Sequence, residues 1–393
     1  LYKVKESKKM NKTVKNIFFI AWALLMAWGL FGVFQRMTQG ELLVNYGSYV
    51  PWGLWVAAKT YFVGISVGAA ILTWVIWAFG IERLQPVVRP ALLVSIITMM
   101  AGLIVITFDL GHMFRTIEVF YRPNFSSMLA IATWLSIAHL IYLAMALRVD
   151  LKSSETSITS RKKVYGWIGL ALAIMFSGGN GAEFAAMISS PYWHSSLGPI
   201  LSIGGALLSG VAIVFASMAL FPIAQNPMDS NLTKIFSRLL TGLILFVLLL
   251  EWSEFSISMW YSRGADYDLL RSILFGPYAY VFWGFHIGLG VVLPLILLVT
   301  RPGGRIPAGT GALLAGVFYF AVRLNHVIPG QMTPAMKGLK EAYSDKWLSF
   351  SYFPSSNEWA VFGFTIAVAV GLFYIGTRLF TGHSSHVIHE GGK

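Results

Sequence analysis

The stretch RPALLVSIITMMAGLIVITFDLGHMFR, residues 89–115, decides how this chain is read. Its apolar run from Ala91 to Phe108 carries no charge and is long enough to cross a bilayer as a helix. The run stops at Asp109, and His112 and Arg115 follow. An acid and an imidazole therefore stand where hydrocarbon gives way to water or to other protein. Asp109 and His112 share a helix face if the helix continues past Gly111. A carboxylate beside an imidazole exchanges protons at such a boundary. The alternative is a polar cap that only closes the helix.

Similar runs recur along the chain. Only 12% of its 393 residues are charged and 56% are hydrophobic, roughly half the charge of a soluble domain. The fold class is therefore an all-α polytopic membrane protein. Ten spans are expected: 16–35, 52–80, 90–109, 126–147, 164–185, 197–222, 233–255, 273–299, 307–328 and 358–379. They group as one flanking helix at each end and two four-helix bundles, 52–185 and 197–328, within a single membrane domain. The bundles run in the same sense, as parallel repeats related by an axis along the membrane normal do. There is no cysteine. Disulfides, cysteine-ligated iron–sulfur clusters and covalent c-type haem are thereby excluded within this chain.

The net charge of +12 would suggest nucleic acid in a soluble protein. Here it sorts by side. The connections and span ends on the side of the N-terminus carry 19 Lys+Arg and 6 Asp+Glu, and those on the other side 9 and 11. The positive-inside rule then puts both termini in the cytoplasm, and no nucleic-acid partner is expected. The first apolar run is longer than that of a signal peptide and no small-residue cleavage site closes it, so 16–35 is expected to be retained. Two long connections, 256–272 and 329–357, lie outside. The second contains the polar, helix-like PAMKGLKEAYSDKW (334–347). The His383, His386, His389 tail reads as a solvated end, or as a weak metal-binding tract.

Polar residues inside the apolar region gather towards the outer side, where they tend to be functional. Asn180 and Glu183 follow the glycine-rich SGGNG (177–181), and His194 lies in the next connection. Lys59 sits about 10 Å of helix rise below Trp52. At that depth it needs a counter-charge, with Asp109 and Glu183 the candidates; the alternative is that it snorkels to the interface. Glu251 and Glu254 share a face of the seventh span, where they either transfer protons or meet a partner's basic surface. Trp52, Tyr192 and Trp193 form an interfacial aromatic belt or wall a flat ligand. His139 and His286 lie at similar depth in different bundles, so either they hydrogen-bond between helices or they ligate a haem.

The stretches YGSYVPWGLWVAA (46–58), residues 89–115, NGAEF (180–184) and PYWHSSLGPILSIGGALLSG (191–210) resemble the NrfD/PsrC-type family of integral membrane quinone-interacting subunits. The length, GSYVPWGLW (47–55) and RLNHVIP (323–329) are most similar to the DsrP/HmeB type, which belongs to a sulfite-reductase-associated membrane complex, and to the hydrogenase-linked HybB type. The resemblance implies menaquinone or another quinone, bound within the bilayer near the outer face of the first bundle. It implies electron exchange with an outer-side (periplasmic) iron–sulfur subunit, further membrane subunits of a respiratory complex, and no haem or iron–sulfur cluster in this chain. It also implies a multi-pass protein of a prokaryotic plasma membrane, in contact with lipid. Asp109 matches the family's acid and His194 its histidine before the sixth span.

The reading is thus a membrane subunit that binds menaquinone/menaquinol for a multi-subunit oxidoreductase. Asp109, His112, Glu183 and His194 are expected to exchange protons. Trp52, Lys59, Asn180 and Trp193 join Asp109, His112 and His194 in binding the headgroup, and no metal site is expected. The rivals are an ion- or proton-translocating transporter subunit and a haem b electron-transfer subunit. The topology is directly testable, because single cysteines can be introduced into a chain that has none. A membrane-impermeant thiol reagent added outside should label Ser344→Cys and spare Ser157→Cys. The opposite pattern would invert the orientation.

Overall fold

The structure is a computed structural model. It describes residues 12–153, 157–187, 190, 192–221, 228–262, 264–332, 338, 339, 345 and 348–383. Lys3, Lys5, Lys8 and Lys9, most of 334–347, and the histidines at 386 and 389 lie outside the described residues, as do the expectations placed on them.

Among the described residues, ten helices are long and apolar enough to cross a membrane. They are α1 (Lys12–Gln39), α2 (Leu54–Ala78), α3 (Gln85–Asp109), α4 (Met128–Leu151), α5 (Ser160–Ala185), α6 (Gly198–Leu220), α7 (Ser230–Tyr261), α8 (Val281–Thr300), α9 (Arg305–Val327) and α10 (Ser356–His383). No strand occurs among the described residues. The protein is an all-α polytopic membrane protein. Local chemistry sets several boundaries. Ser127, Thr159 and Asp229 cap α4, α5 and α7 by accepting the amides of Ala130, Lys162 and Leu232, which satisfies otherwise orphaned first-turn donors.

The largest departure from the expected spans is the eighth. The apolar pattern places its start at 273, but Ala265–Phe275 forms a separate short helix and α8 begins at Val281. The break falls at Gly276, which precedes Pro277; a residue before proline is driven out of the helical region. The first twelve residues of α8 (Val281–Val292) are wound as a π-helix.

Burial differs sharply between helices: 89% of the apolar window of α2 and 72% of that of α6 are buried, against 11% for α1. The two buried helices therefore form the centre, and the outer ones turn most of their surface to lipid. The helix α2 packs against α3, α5 and α6; α6 packs in addition against α7 and α9; α10 packs against α1 on one side and α3 on the other. The first and second halves of the chain thus meet along α2 and α6. That seam is made of glycine. A Cβ on Gly68 would lie 1.7 Å from the Ala206 carbonyl oxygen, and one on Gly210 2.3 Å from the Ala69 nitrogen. Gly64 and Gly68 form a G-x-x-x-G pair, the spacing that lets membrane helices approach backbone to backbone.

Buried polar networks pin the helix ends. Asp150, 1% exposed, pairs with Arg89 at 2.7 Å and with the fully buried Lys162 at 2.9 Å, and it accepts from Gln85 at 2.9 Å. This joins one end of α3, α4 and α5. At the other end the carboxylate of Glu358 accepts from the amides of Asn45 and Ser355 and from the Tyr352 hydroxyl. Burial and then the Glu358 charge push the Tyr352 phenol far above its ordinary value, so it stays protonated and remains a donor. That hydroxyl also accepts the Leu54 amide at 2.8 Å, which fixes the start of α2.

The seam makes a sharp prediction. Gly68→Leu should cost at least about 3 kcal/mol, the upper end of overpacking penalties, because the atom it meets is backbone. Gly242, where a Cβ would have no atom within 4 Å, should tolerate Ala. Thermal unfolding of the two variants in detergent would check this; equal stability would contradict the close approach.

Candidate functional site

Helices α2, α5, α6, α7, α8 and α9 surround a cavity of about 1140 Å³, its open mouth included. The lining positions run from Thr60 to Val67 on α2, from Ser177 to Phe184 on α5, from Gly198 to Ser202 on α6 and from Tyr319 to His326 on α9. Glu251, Glu254 and Phe255 of α7, Phe282 and His286 of α8, and Tyr192, Trp193 and Ser195 of the connection before α6 complete it. All fall in the half of the bundle where α2, α6 and α8 begin and α5, α7 and α9 end.

A charge pair lies behind Asn180 of the α5 wall. Lys59 of α2 lies 3.5 Å from Glu183 and 3.4 Å from the Asn180 side-chain oxygen. The lysine is 14% and the glutamate 6% exposed, so neither reaches bulk water freely. Asn180 and Glu183 are three residues apart on one helix face. Asn180 donates in turn to the Phe176 carbonyl at 2.9 Å, which orients its oxygen towards the ammonium. Of the two partners the sequence offered Lys59, the fold selects Glu183.

An aromatic cluster packs beside this pair. Trp52 and Trp193 stack with centroids 5.5 Å apart, and Phe184 meets both edge-on at 5.6 and 5.4 Å. The Trp193 indole donates to the His326 carbonyl at 2.7 Å. Gln331 holds the Trp52 backbone from both sides, at 2.9 and 2.8 Å. Trp193 and Phe184 line the cavity, whereas Trp52 gives one face of its ring to Trp193.

The wall from α7, α8 and α9 is more polar. Glu251 lies 3.3 Å from the His286 ring, and Ser195 donates to Glu254. His286 is carried by the π-wound part of α8, a widened turn that often accompanies function. The Arg323 guanidinium lies over the Tyr319 ring at 5.3 Å. Burial, then the carboxylates of Glu251 and Glu254, push the Tyr192 phenol up from its ordinary value, so it too remains a donor. Among the described residues, one oxygen of Glu251, the Arg323 Nε and both amide atoms of Asn325 are buried without a hydrogen-bond partner. Sequence reasoning missed Arg323, Asn325 and His326 as site residues. Their signal was present in RLNHVIP: three polar residues closing an otherwise apolar helix. Tyr319, Arg323 and His326, at four- and three-residue spacing, share one helix face.

The other expected site residues lie elsewhere. Asp109 ends α3, with one carboxylate oxygen buried and unpartnered among the described residues. Arg36, itself 1% exposed, binds the neighbouring carbonyls of Phe108 and Leu110 at 2.9 and 3.1 Å. One turn below, Ile106 packs on the aromatic cluster with Trp52, Val56 and Phe184, which links Asp109 to the cavity region through apolar contacts. The shared face expected for Asp109 and His112 does not form. The helix ends at Asp109, Leu110 is extended, and His112 sits on an exposed turn. His194 is exposed, with its ring 2.8 Å from the Ala185 carbonyl, where it closes the end of α5. His139 packs on Phe176 of α5 while His286 meets Glu251 of α7, so the two buried histidines have different neighbours. No group of three or more His, Cys, Asp or Glu is placed to hold a metal among the described residues.

The arrangement suits a flat, apolar ligand with a few polar atoms. Aromatic and aliphatic walls accept the ring, and a small number of donors and acceptors orient it. The carboxylates supply proton-exchanging groups.

Comparison with known proteins places the chain in a family. The chain is 27% identical to a selenate reductase subunit of Mesobacillus selenatarsenatis over 93% of this chain and 94% of that protein. It is 24% identical to the Hdr-like menaquinol oxidoreductase integral membrane subunit of Archaeoglobus fulgidus, over 92% and 93%. It is 25% identical to a polysulfide reductase subunit of Wolinella succinogenes, over 65% and 85%. The family model described as polysulphide reductase, NrfD, matches residues 43–335. That match spans α2 to α9 and every wall of the cavity, and the protein is therefore a member of the NrfD family of multi-pass membrane proteins.

Proposed function

We propose that this chain is the quinone-reactive membrane subunit of a respiratory oxidoreductase, with menaquinone or menaquinol held in the cavity between α2, α5, α6, α7, α8 and α9. The observation that carries the reading is the cavity itself: a mostly apolar and aromatic chamber, polar at a few points, one of which is Asn180, with the Lys59–Glu183 pair directly behind it. The relatives named as a menaquinol oxidoreductase subunit and as a menaquinone reductase subunit support the choice of quinone. The relatives named for selenate and polysulfide support a chalcogen-linked complex, and the resemblance to the DsrP/HmeB type favours a sulfite-reductase-linked one.

A bound quinone supplies two-electron, two-proton redox chemistry, and the chain supplies the binding and the proton exchange. Trp193 and Phe184 flank the ring. Asn180 offers a hydrogen bond, and Glu183 exchanges a proton through its carboxylate, with Lys59 holding it in place. Asp109, one turn above Ile106, passes protons to the outer water, with His112 and His194 on the exposed rim. The charge count puts that rim outside, where an iron–sulfur subunit would take or give the electrons. The termini then lie in the cytoplasm.

Glu183→Gln keeps the shape and removes the charge. It should slow quinol-dependent electron transfer by roughly 100-fold or more, the scale of general acid–base contributions, in a complex that still assembles. Asp109→Asn should slow the same reaction while leaving ligand affinity intact. The readout is turnover of the purified complex with a soluble naphthoquinol. Wild-type turnover in Glu183→Gln would move the site away from α5.

The ion pair gives a second test. Lys59→Met leaves a buried carboxylate alone and should destabilise the protein by about 3–5 kcal/mol. Adding Glu183→Gln should recover a large part of that loss. Additive effects in the double-mutant cycle would mean that the two groups do not interact.

A further inference from the structure

The α9 side of the cavity holds polar groups that the fold does not use. Asn325 is 5% exposed, lines the cavity, and has neither amide atom paired among the described residues. A buried carboxamide with no partner is costly, and nearly all such groups in folded proteins are satisfied. Arg323, one turn above Tyr319 on the same lining, has an unpartnered Nε and no carboxylate within ion-pair distance among the described residues. The carboxylate of Glu251 on α7 spends one oxygen on His286. Gly64 of α2 leaves the space: a Cβ there would stand 3.5 Å from the guanidinium. By contrast Lys59, Asp150, Lys162 and Glu358 are all paired.

We propose that Asn325 and Arg323 form a second anchoring point of the cavity, hydrogen-bonding a carbonyl or hydroxyl oxygen of the bound quinone from the α9 side. The inference rests on the quinone reading above and extends it to the second half of the bundle. A carboxamide both donates and accepts, so Asn325 serves the oxidised and the reduced headgroup alike. A guanidinium only donates, so Arg323 favours the carbonyl form. The ligand would then be gripped by two sets of helices, α5 on one side and α9 on the other, and would bridge the two four-helix groups.

The test uses the full chain in detergent and the probe 2-methyl-1,4-naphthoquinone, followed by quenching of tryptophan fluorescence, with thermal unfolding measured in parallel. Wild type should show saturable quenching. Asn325→Leu should bind at least tenfold more weakly and melt at the same or a higher temperature. Replacing an unsatisfied buried amide by an apolar group of similar shape does not harm the fold itself. Asn325→Ser, which keeps a donor and an acceptor, should recover part of the affinity. Unchanged affinity in Asn325→Leu, as expected if water alone satisfies the amide, would overturn the anchor and leave the quinone reading intact. Weaker binding together with a lower melting temperature would mark Asn325 as a packing residue and also overturn it. Absence of saturable quenching in the wild type would instead remove the quinone reading, and the anchor with it.

Discussion

The backbone contact between α2 and α6 is the constraint on which the rest of this molecule depends. Gly68 and Gly210 leave no room for a side chain, because each faces backbone of the opposite helix. In a bilayer there is little hydrophobic drive to bring helices together, so close van der Waals packing has to do it. The two helices sit so near each other that α3 and α5 pack on one and α7 and α9 on the other. The six-helix chamber exists because this pair holds its centre, and its lining mixes residues from both halves of the chain.

Around that centre the charged residues fall into two groups. Two acids at the helix ends are spent on structure: Asp150 with Arg89 and Lys162, and Glu358 with two amides and a tyrosine. Each of these satisfies its hydrogen-bonding capacity locally, which is the condition under which a buried charge is tolerated. The second group surrounds the cavity and is only partly satisfied. Glu251, Arg323 and Asn325 keep free polar atoms there. These open atoms are the ones on which the proposed second anchor rests.

How much of this was legible in the sequence varied by level. The lysine at position 59 announced a partner by its depth alone, and Glu183 was one of two candidates. His112 misled, because a three-residue spacing implies a shared face only while the helix lasts, and α3 ends at Asp109. The eighth span misled because the apolar pattern runs across the Gly276–Pro277 break that splits it. Arg323 and Asn325 were visible as letters in RLNHVIP, but nothing in their order says whether they face lipid, a neighbouring helix or a cavity.

Ten apolar runs, their approximate ends and the imbalance of basic residues were determined by the sequence alone. The cost of burying backbone and charge in hydrocarbon is a local property that each segment carries by itself. Which polar residues meet was decided only by the tertiary structure. A span buried all round has little amphipathic signal, so its rotation about its own axis is set by neighbours rather than by its own pattern. For α2 the neighbour is α6, and the glycines at 64, 68 and 210 set the angle at which Lys59 turns towards Glu183 and the cavity opens towards Asn325.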